Sequence, residues 1–136
     1  MVTEYALYTD QFSLAFTLVG ICYRLTRLLG LEAKDAPGRH GGPPPATQVE
    51  AGRRLLWACY ILDGLVGLGV DGNLCWKDSL PRAPLPSPEG DFIAQTSALA
   101  LNASAVDVFQ TPSALVHLDY RAHIIYLTYL RTRALR

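Results

Sequence analysis

Charge is scarce in this sequence. Of its 136 residues only 18% are Asp, Glu, Lys or Arg, where soluble domains average about 25%. The twelve basic and twelve acidic residues cancel, and a balanced chain lacks the basic footprint of a free-standing nucleic-acid binder. Cysteine is scarce too. Cys22, Cys59 and Cys75 are far apart with no Cys-x-x-Cys, which gives neither a disulfide framework nor a zinc site and suits a reducing compartment. Long hydrophobic runs are missing. The longest, Leu55 to Val70, is cut by Asp63 and falls short of the roughly 18 apolar residues of a membrane span. The opening Met1-Val2-Thr3-Glu4 has no positive region of the kind that begins a secretory signal. The sequon Asn102-Ala103-Ser104 is therefore formal only, since glycosylation needs the secretory pathway.

Apolar residues are plentiful, at half the chain. A folded monomer of 14.9 kDa exposes about 7,000 Å² of the roughly 21,600 Å² its unfolded chain exposes. Two-thirds burial supports one core and one domain. So much apolar surface with so little charge also implies a face meant for a partner.

Four apolar segments alternate with Pro- and Gly-rich breaks, and their spacing predicts an all-α array of about four helices. The first helix is expected over Asp10 to Leu29. Leu18, Ile21, Cys22, Leu25, Leu28 and Leu29 recur at three- and four-residue steps, the period of one helix face. Gly30 followed by Leu31 is the C-terminal signature of a Schellman motif. Residues 32–46 contain Gly41-Gly42-Pro43-Pro44-Pro45 and read as a flexible loop. The second helix is expected to open at Thr47, with Thr47 and Glu50 as a capping box, and to be buried nearly all round. It should end in Gly67, Gly69 and Gly72. Residues 73–90 hold Pro81, Pro84, Pro86 and Pro88 and read as an extended strap over the helices. A third helix is expected from Asp91 to Val108. A fourth should open at Thr111-Pro112, with Leu115, Leu118, Ala122, Ile125 and Tyr129 as its stripe and Arg131, Arg133 and Arg136 at its end.

Several of these residues carry a resemblance. The stretch Gly20 to Leu31 resembles a helix of the fungal-specific transcription factor domain, the middle homology region that accompanies Zn2Cys6 zinc clusters, with Gly20, Arg24, Leu25, Leu29, Gly30 and Leu31 matching. Glu50, Arg53, Arg54, Trp57 and Asp63 match the spacing of the family's next helix, after a variable loop. Leu85-Pro86 and Asp91-Phe92 look like the extended segment that follows. The resemblance covers about residues 12–92, so the chain reads as a single partial domain over 1–136. It departs from the family at Gly64, where an arginine is usual, and at Glu32, where a histidine is frequent. Without an arginine after Asp63, the second helix is expected to end early. Three scattered cysteines cannot form the two-zinc cluster, so zinc is expected only in an upstream cluster outside this chain.

Beside the resemblance, the residues have plainer readings. Arg53 and Arg54 are expected to pair with Glu50 and with carboxylates of the strap. Trp57 is expected in the core, its indole N–H satisfied locally. Asp63 is expected buried and paired, with a cation or with a neighbouring helix. Gly67-Leu68-Gly69-Val70-Asp71-Gly72 has the letters of a dinucleotide fingerprint, but a helix precedes it where a strand is required. His117 and His123 miss the spacing that sets two ligands on one helix face, and His40 lies in the loop. Cys22 and Cys59 read as small core residues, and Tyr120, Tyr126 and Tyr129 as a face that packs on a neighbour.

The resemblance implies a regulatory region of a transcription regulator, nuclear, without chemistry of its own. It would act through contacts with other parts of the same regulator or a regulator partner, or by sensing a small effector in a helical pocket, as a dimer in one arrangement, with DNA reached only indirectly. No catalytic residue, cofactor, metal or membrane is expected. The alternatives are a truncated or stand-alone helical interaction module and, last, a small helical enzyme.

Overall fold

The computed structural model describes residues 2–32, 45–67, 71–77, 79–94, 104–115 and 118–135. The fold is all-α. Its helices are α1 (Val2–Tyr8), α2 (Phe12–Leu28), α3 (Ala46–Val66), α4 (Glu89–Ile93), α5 (Ala105–Gln110), α6 (Pro112–Leu115) and α7 (Tyr120–Ala134), with a single 3-10 turn at Asp71–Asn73. No strand occurs among the described residues; Pro84 and Ser104 form an isolated antiparallel bridge. No helix among them is long and apolar enough to cross a membrane. The expected loop at 32–46 falls almost wholly outside the described residues, as do Gly69, His40 and His117.

The centre is α3. It packs against α2 on one side and α7 on the other, and α1 lies against both α2 and α3. The larger core cluster joins Leu56, Trp57, Cys59 and Tyr60 of α3 to Trp76, Ala83 and Leu85 of the strap, and to residues of α5 and α7. A smaller one joins Ala6, Ala15, Val19 and Val66 at the α1 end. Tyr126 and Tyr129 of α7 pack on Phe109 of α5, with ring centroids 5.0 and 5.5 Å away, while Tyr120 stays exposed.

Several expectations hold. At the end of α2, Gly30 has φ +63°, its N–H donates to the Arg27 carbonyl, and the Leu31 N–H donates to the Thr26 carbonyl, which is the full Schellman pair. The C-terminal cap of α3 is Gly67. The stripe expected on the fourth helix faces inward, with Ala122 and Ile125 buried.

Others are corrected. The helix α1 has no counterpart among the sequence expectations; it closes through Asp10, at φ +56°, with the Gln11 N–H on the Ala6 carbonyl. Aspartate tolerates that left-handed position better than most residues. The capping box does not form. The α3 N-cap is Pro45, with no side-chain cap bond; the helix starts at Ala46, so Thr47 is already inside it, and a proline cap has no N–H for a carboxylate to take. Lacking an arginine after Asp63, α3 nonetheless runs on to Val66. The third helix is not continuous. Its start lies in α4, residues 95–103 are outside the described set, and Ser104 is extended, with its hydroxyl accepting from the Val106 N–H to start α5. The fourth is split into α6 and α7, with Asp119 extended at the α7 N-cap. Thr111 turns its hydroxyl back to the Asp107 carbonyl instead of capping α6.

The apolar face read from the spacing of α2 is not its buried one. Its buried residues are Ala15, Val19 and Thr26. Ile21, Leu25, Leu28 and Leu29 of that face are 46%, 51%, 84% and 60% exposed. Small side chains on the inner face let α2 sit close to α3. Helix periodicity marks an apolar stripe but not what covers it.

Closeness also governs the α3–α7 crossing. A Cβ on Gly64 would lie 2.6 Å from the Thr128 Cγ2 methyl, and Arg131 Nη1 donates to the Gly64 carbonyl at 2.8 Å. Gly64→Ala is expected to destabilise the fold by about 1–3 kcal/mol through this overlap. Thr128→Ser, which removes the methyl and keeps a hydroxyl for the Ile124 carbonyl, should recover much of that loss. A double-mutant cycle from urea unfolding checks this, and strictly additive effects would contradict the overlap.

Candidate functional site

The strap between the 3-10 turn and α4 makes little secondary structure, so its backbone groups need partners from elsewhere. Side chains of α3 supply them in order. Asp63, 2% exposed, accepts the Cys75 N–H at 3.0 Å and the Trp76 N–H at 3.1 Å. Trp57, 1% exposed, donates its indole Nε1–H to the Pro84 carbonyl at 2.7 Å. Glu50 accepts the Ser87 N–H at 2.9 Å. Arg54 donates to the Ser87 carbonyl at 2.9 Å and pairs with Glu89. The strap therefore runs antiparallel to α3, with Cys75 at Asp63 and Ser87 at Glu50.

The ion pairs are concentrated at the Glu50 end. The Glu50 carboxylate takes Arg53 at 3.0 Å and Arg54 at 3.1 Å. Charge-assisted bonds of this kind are roughly twice as strong as neutral ones. The Arg54 guanidinium also lies 4.0 Å from the centre of the Phe92 ring, a cation–π geometry. Glu89 bridges Arg54 to Arg121, 2.8 Å away. The bond from Arg54, with the two positive charges, holds the Glu89 carboxyl below its ordinary range.

The C-terminal end of α2 joins the same interface. Trp76 Nε1–H donates to Glu32 at 3.1 Å, and Glu32 pairs with Arg27 at 2.7 Å. The Tyr23 ring meets Trp76 edge-on at 4.7 Å. Leu31 sits over Gly52, where an added Cβ would be 3.3 Å from its methyl.

The structure thus brings Glu50, Arg53, Arg54, Trp57 and Asp63 to one helix–strap interface. Gly20 and Gly30 have nothing within 4 Å of where a Cβ would be; Arg24 is exposed, and Gly20 and Arg24 line a cleft with Asp63 and Cys75. Trp57 is in the core and Arg53 and Arg54 pair with Glu50, as expected; Asp63 is buried, but its partners are two strap amides rather than a cation or a helix end. The pairing of Arg54 with a strap carboxylate, Glu89, is also as expected; sequence reasoning missed Arg121 and Arg131 as partners. Their spacing from α3 in sequence carries no signal of the contact.

Beside the interface lies a cleft of about 450 Å³, with Trp57, Ile61, Pro86 and Ile124 as apolar lining and Arg54, Arg121, Glu89 and Asp119 as charged lining whose signs balance. Among the described residues no three His, Cys, Asp or Glu side chains converge to hold a metal. His123 is exposed and bonds only back to the Asp119 carbonyl. The glycine-rich run begins at the α3 C-cap and passes into a 3-10 turn, without the strand that a dinucleotide site needs.

The three thiols are free. Burial, reinforced by the Asp63 carboxylate, pushes the Cys75 thiol up to about 12. Burial, with Cys22 adjacent, pushes the Cys59 thiol up to about 11. These are protonated packing groups, not nucleophiles.

The chain was compared with protein-family models, curated proteins and solved structures, and none matches.

Asp63→Ala leaves the Cys75 and Trp76 amides unpaired and is expected to cost about 2–4 kcal/mol, with a red-shifted tryptophan emission as Trp76 is wetted. Asp63→Asn should cost less. A urea midpoint unchanged by Asp63→Ala would contradict the anchoring role. Stability should also fall at alkaline pH. The unfolded thiols ionise near 9.0 while folded Cys75 holds its proton to about 12, so the unfolded chain binds fewer protons between these values. The contribution is intact below pH 9.0 and is lost as pH rises towards 12. Cys75→Ser should flatten that decline, as measured by urea midpoints across the range.

Proposed function

We propose that this chain is a regulatory region of a fungal transcription regulator, of the middle-homology kind, acting in the nucleus through protein contacts and without a DNA-reading zinc cluster of its own. One observation carries the reading. Residues from all three stretches that resemble that domain meet at one interface. Leu31 at the end of α2 packs on Gly52, Glu50, Arg54, Trp57 and Asp63 hold the strap, and Phe92 lies under Arg54.

The interface also offers a route to regulation. A strap held by discrete bonds has a docked and an undocked state, and a partner that binds one better shifts the balance. The cleft beside Arg54, Glu89 and Arg121 is where such a partner would feel the strap. This role requires neither a cofactor nor DNA contact by this chain.

The test is a reporter assay. Placed between an unrelated DNA-binding domain and an activation domain, the chain is expected to change reporter output by about fivefold, the scale of a typical coupling. Asp63→Ala, which frees one end of the strap, should abolish the change. An output unaltered by the wild-type insert, at equal protein level and with the fusion in the nucleus, overturns the reading.

A further inference from the structure

The cations of this fold are mostly matched. Arg53, Arg54 and Arg121 pair with Glu50 and Glu89, Arg27 pairs with Glu32, and Arg131 donates to the Gly64 carbonyl. Three others have no ion pair among the described residues and share one cleft. Lys77, Arg82 and Arg133 line a hollow of about 720 Å³ between the strap and the end of α7, a size within the range of small-molecule sites. Among the described residues no carboxylate lines it. The clefts at Arg54 and at Arg24 each contain one, Glu89 and Asp63 respectively. Even counting Asp78, the sequence neighbour of Lys77, cations stay in excess. Like charges held together without a counter-charge leave a positive potential for an anion to use.

The anchors of these charges are fixed. Arg133 Nη1 donates to the Tyr129 hydroxyl at 2.6 Å, and its guanidinium lies 5.5 Å from that ring's centre. Lys77 follows Trp76, whose amide is held by Asp63 and whose indole N–H is held by Glu32. Arg82 stands between Pro81 and Ala83, both buried. The heads of Lys77 and Arg82 stay exposed. Beside them the lining turns apolar, with Leu80 and Tyr129 half-buried and Val106 exposed.

Such a cleft fits a ligand with an anionic head and an apolar body. A single carboxylate would leave two of the cations unmatched. A phosphomonoester carries nearly two charges at pH 7 and offers three acceptor oxygens, and the guanidinium fork matches its geometry. We propose that this cleft binds a small phosphomonoester with an apolar ring, the phosphate taken by Lys77, Arg82 and Arg133 and the ring laid on Tyr129, Leu80 and Val106. The site rests on these residues alone and does not depend on the regulatory reading.

The probe is 1-naphthyl phosphate, titrated into the full chain by isothermal calorimetry. One site dissociating at about 100 µM is expected, within what a ligand of that size can reach. Inorganic phosphate and 1-naphthol, each holding half of the ligand, should bind at least about tenfold more weakly. Lys77→Gln with Arg82→Gln should weaken binding about thirtyfold by removing charge-assisted contacts. Helical circular dichroism and the urea midpoint should not move, because both side chains are exposed. Arg24→Gln removes a like charge outside the cleft and should leave binding unchanged. Raising salt from about 0.05 to 0.5 M should weaken the wild type about tenfold. No saturable heat up to about 2 mM naphthyl phosphate overturns the proposal. So does binding that the double substitution leaves intact, or that Arg24→Gln weakens as much. Naphthol bound as tightly would reduce the site to an apolar patch, and phosphate bound as tightly to a general anion site; either result overturns the two-part ligand.

Discussion

A strap with four prolines cannot satisfy its own backbone, and the rest of the fold is organised around that shortage. The prolines at 81, 84, 86 and 88 remove donors and bar a helix or a sheet ladder. The remaining groups are buried against α3 and must be paired. Asp63 and Glu50 act as acceptors for strap amides, and Trp57 and Arg54 as donors to strap carbonyls. One helix thus performs, with side chains, what a neighbouring strand would do with its backbone. No buried side-chain polar atom among the described residues lacks a partner.

The same arrangement explains which local rules were overruled. The capping box needs Thr47 at the cap, but α3 begins at Ala46, and Glu50, inside the helix, is surrounded by two guanidiniums and an amide. Its side chain and that of Arg54 are nearly buried, and a charge withdrawn from water needs full compensation. At Gly64 a missing side chain matters for a different reason. Its absence allows α7 to approach α3 within contact of Thr128, and Arg131 fills the neighbouring carbonyl.

Much of this was legible in the sequence, and the limits are physical. The Schellman end of α2, the course of α3, the burial of Trp57 and the strap follow from glycine, proline and aromatic placement, whose constraints are local. The outward-facing apolar face of α2 did not follow, because a periodic stripe fits an internal or an external neighbour equally. The short α1 has too few residues for periodicity to declare itself. The breaks at Ser104 and Asp119 lie in segments whose composition is compatible with helix, and tertiary packing decides them. At the site, the α3 residues and their pairing with a strap carboxylate were legible, but Arg121 and Arg131 come from α7, with Arg131 67 residues from Gly64, and pairwise distance in space is not written in spacing along the chain.

The antiparallel course of the strap has a consequence for how the chain is closed. The bonds it makes to α3 span 12 residues at Asp63–Cys75, 27 at Trp57–Pro84 and 37 at Glu50–Ser87. Each bond encloses the one before it, as teeth of a zip do. The entropy of closing a loop grows slowly, by about 0.6 kcal/mol per doubling of length. Once the innermost loop is shut, each later bond has only a short extra length to gather, so the longest of the three loops, closed by Glu50 and Ser87, is reached through a series of small entropic steps.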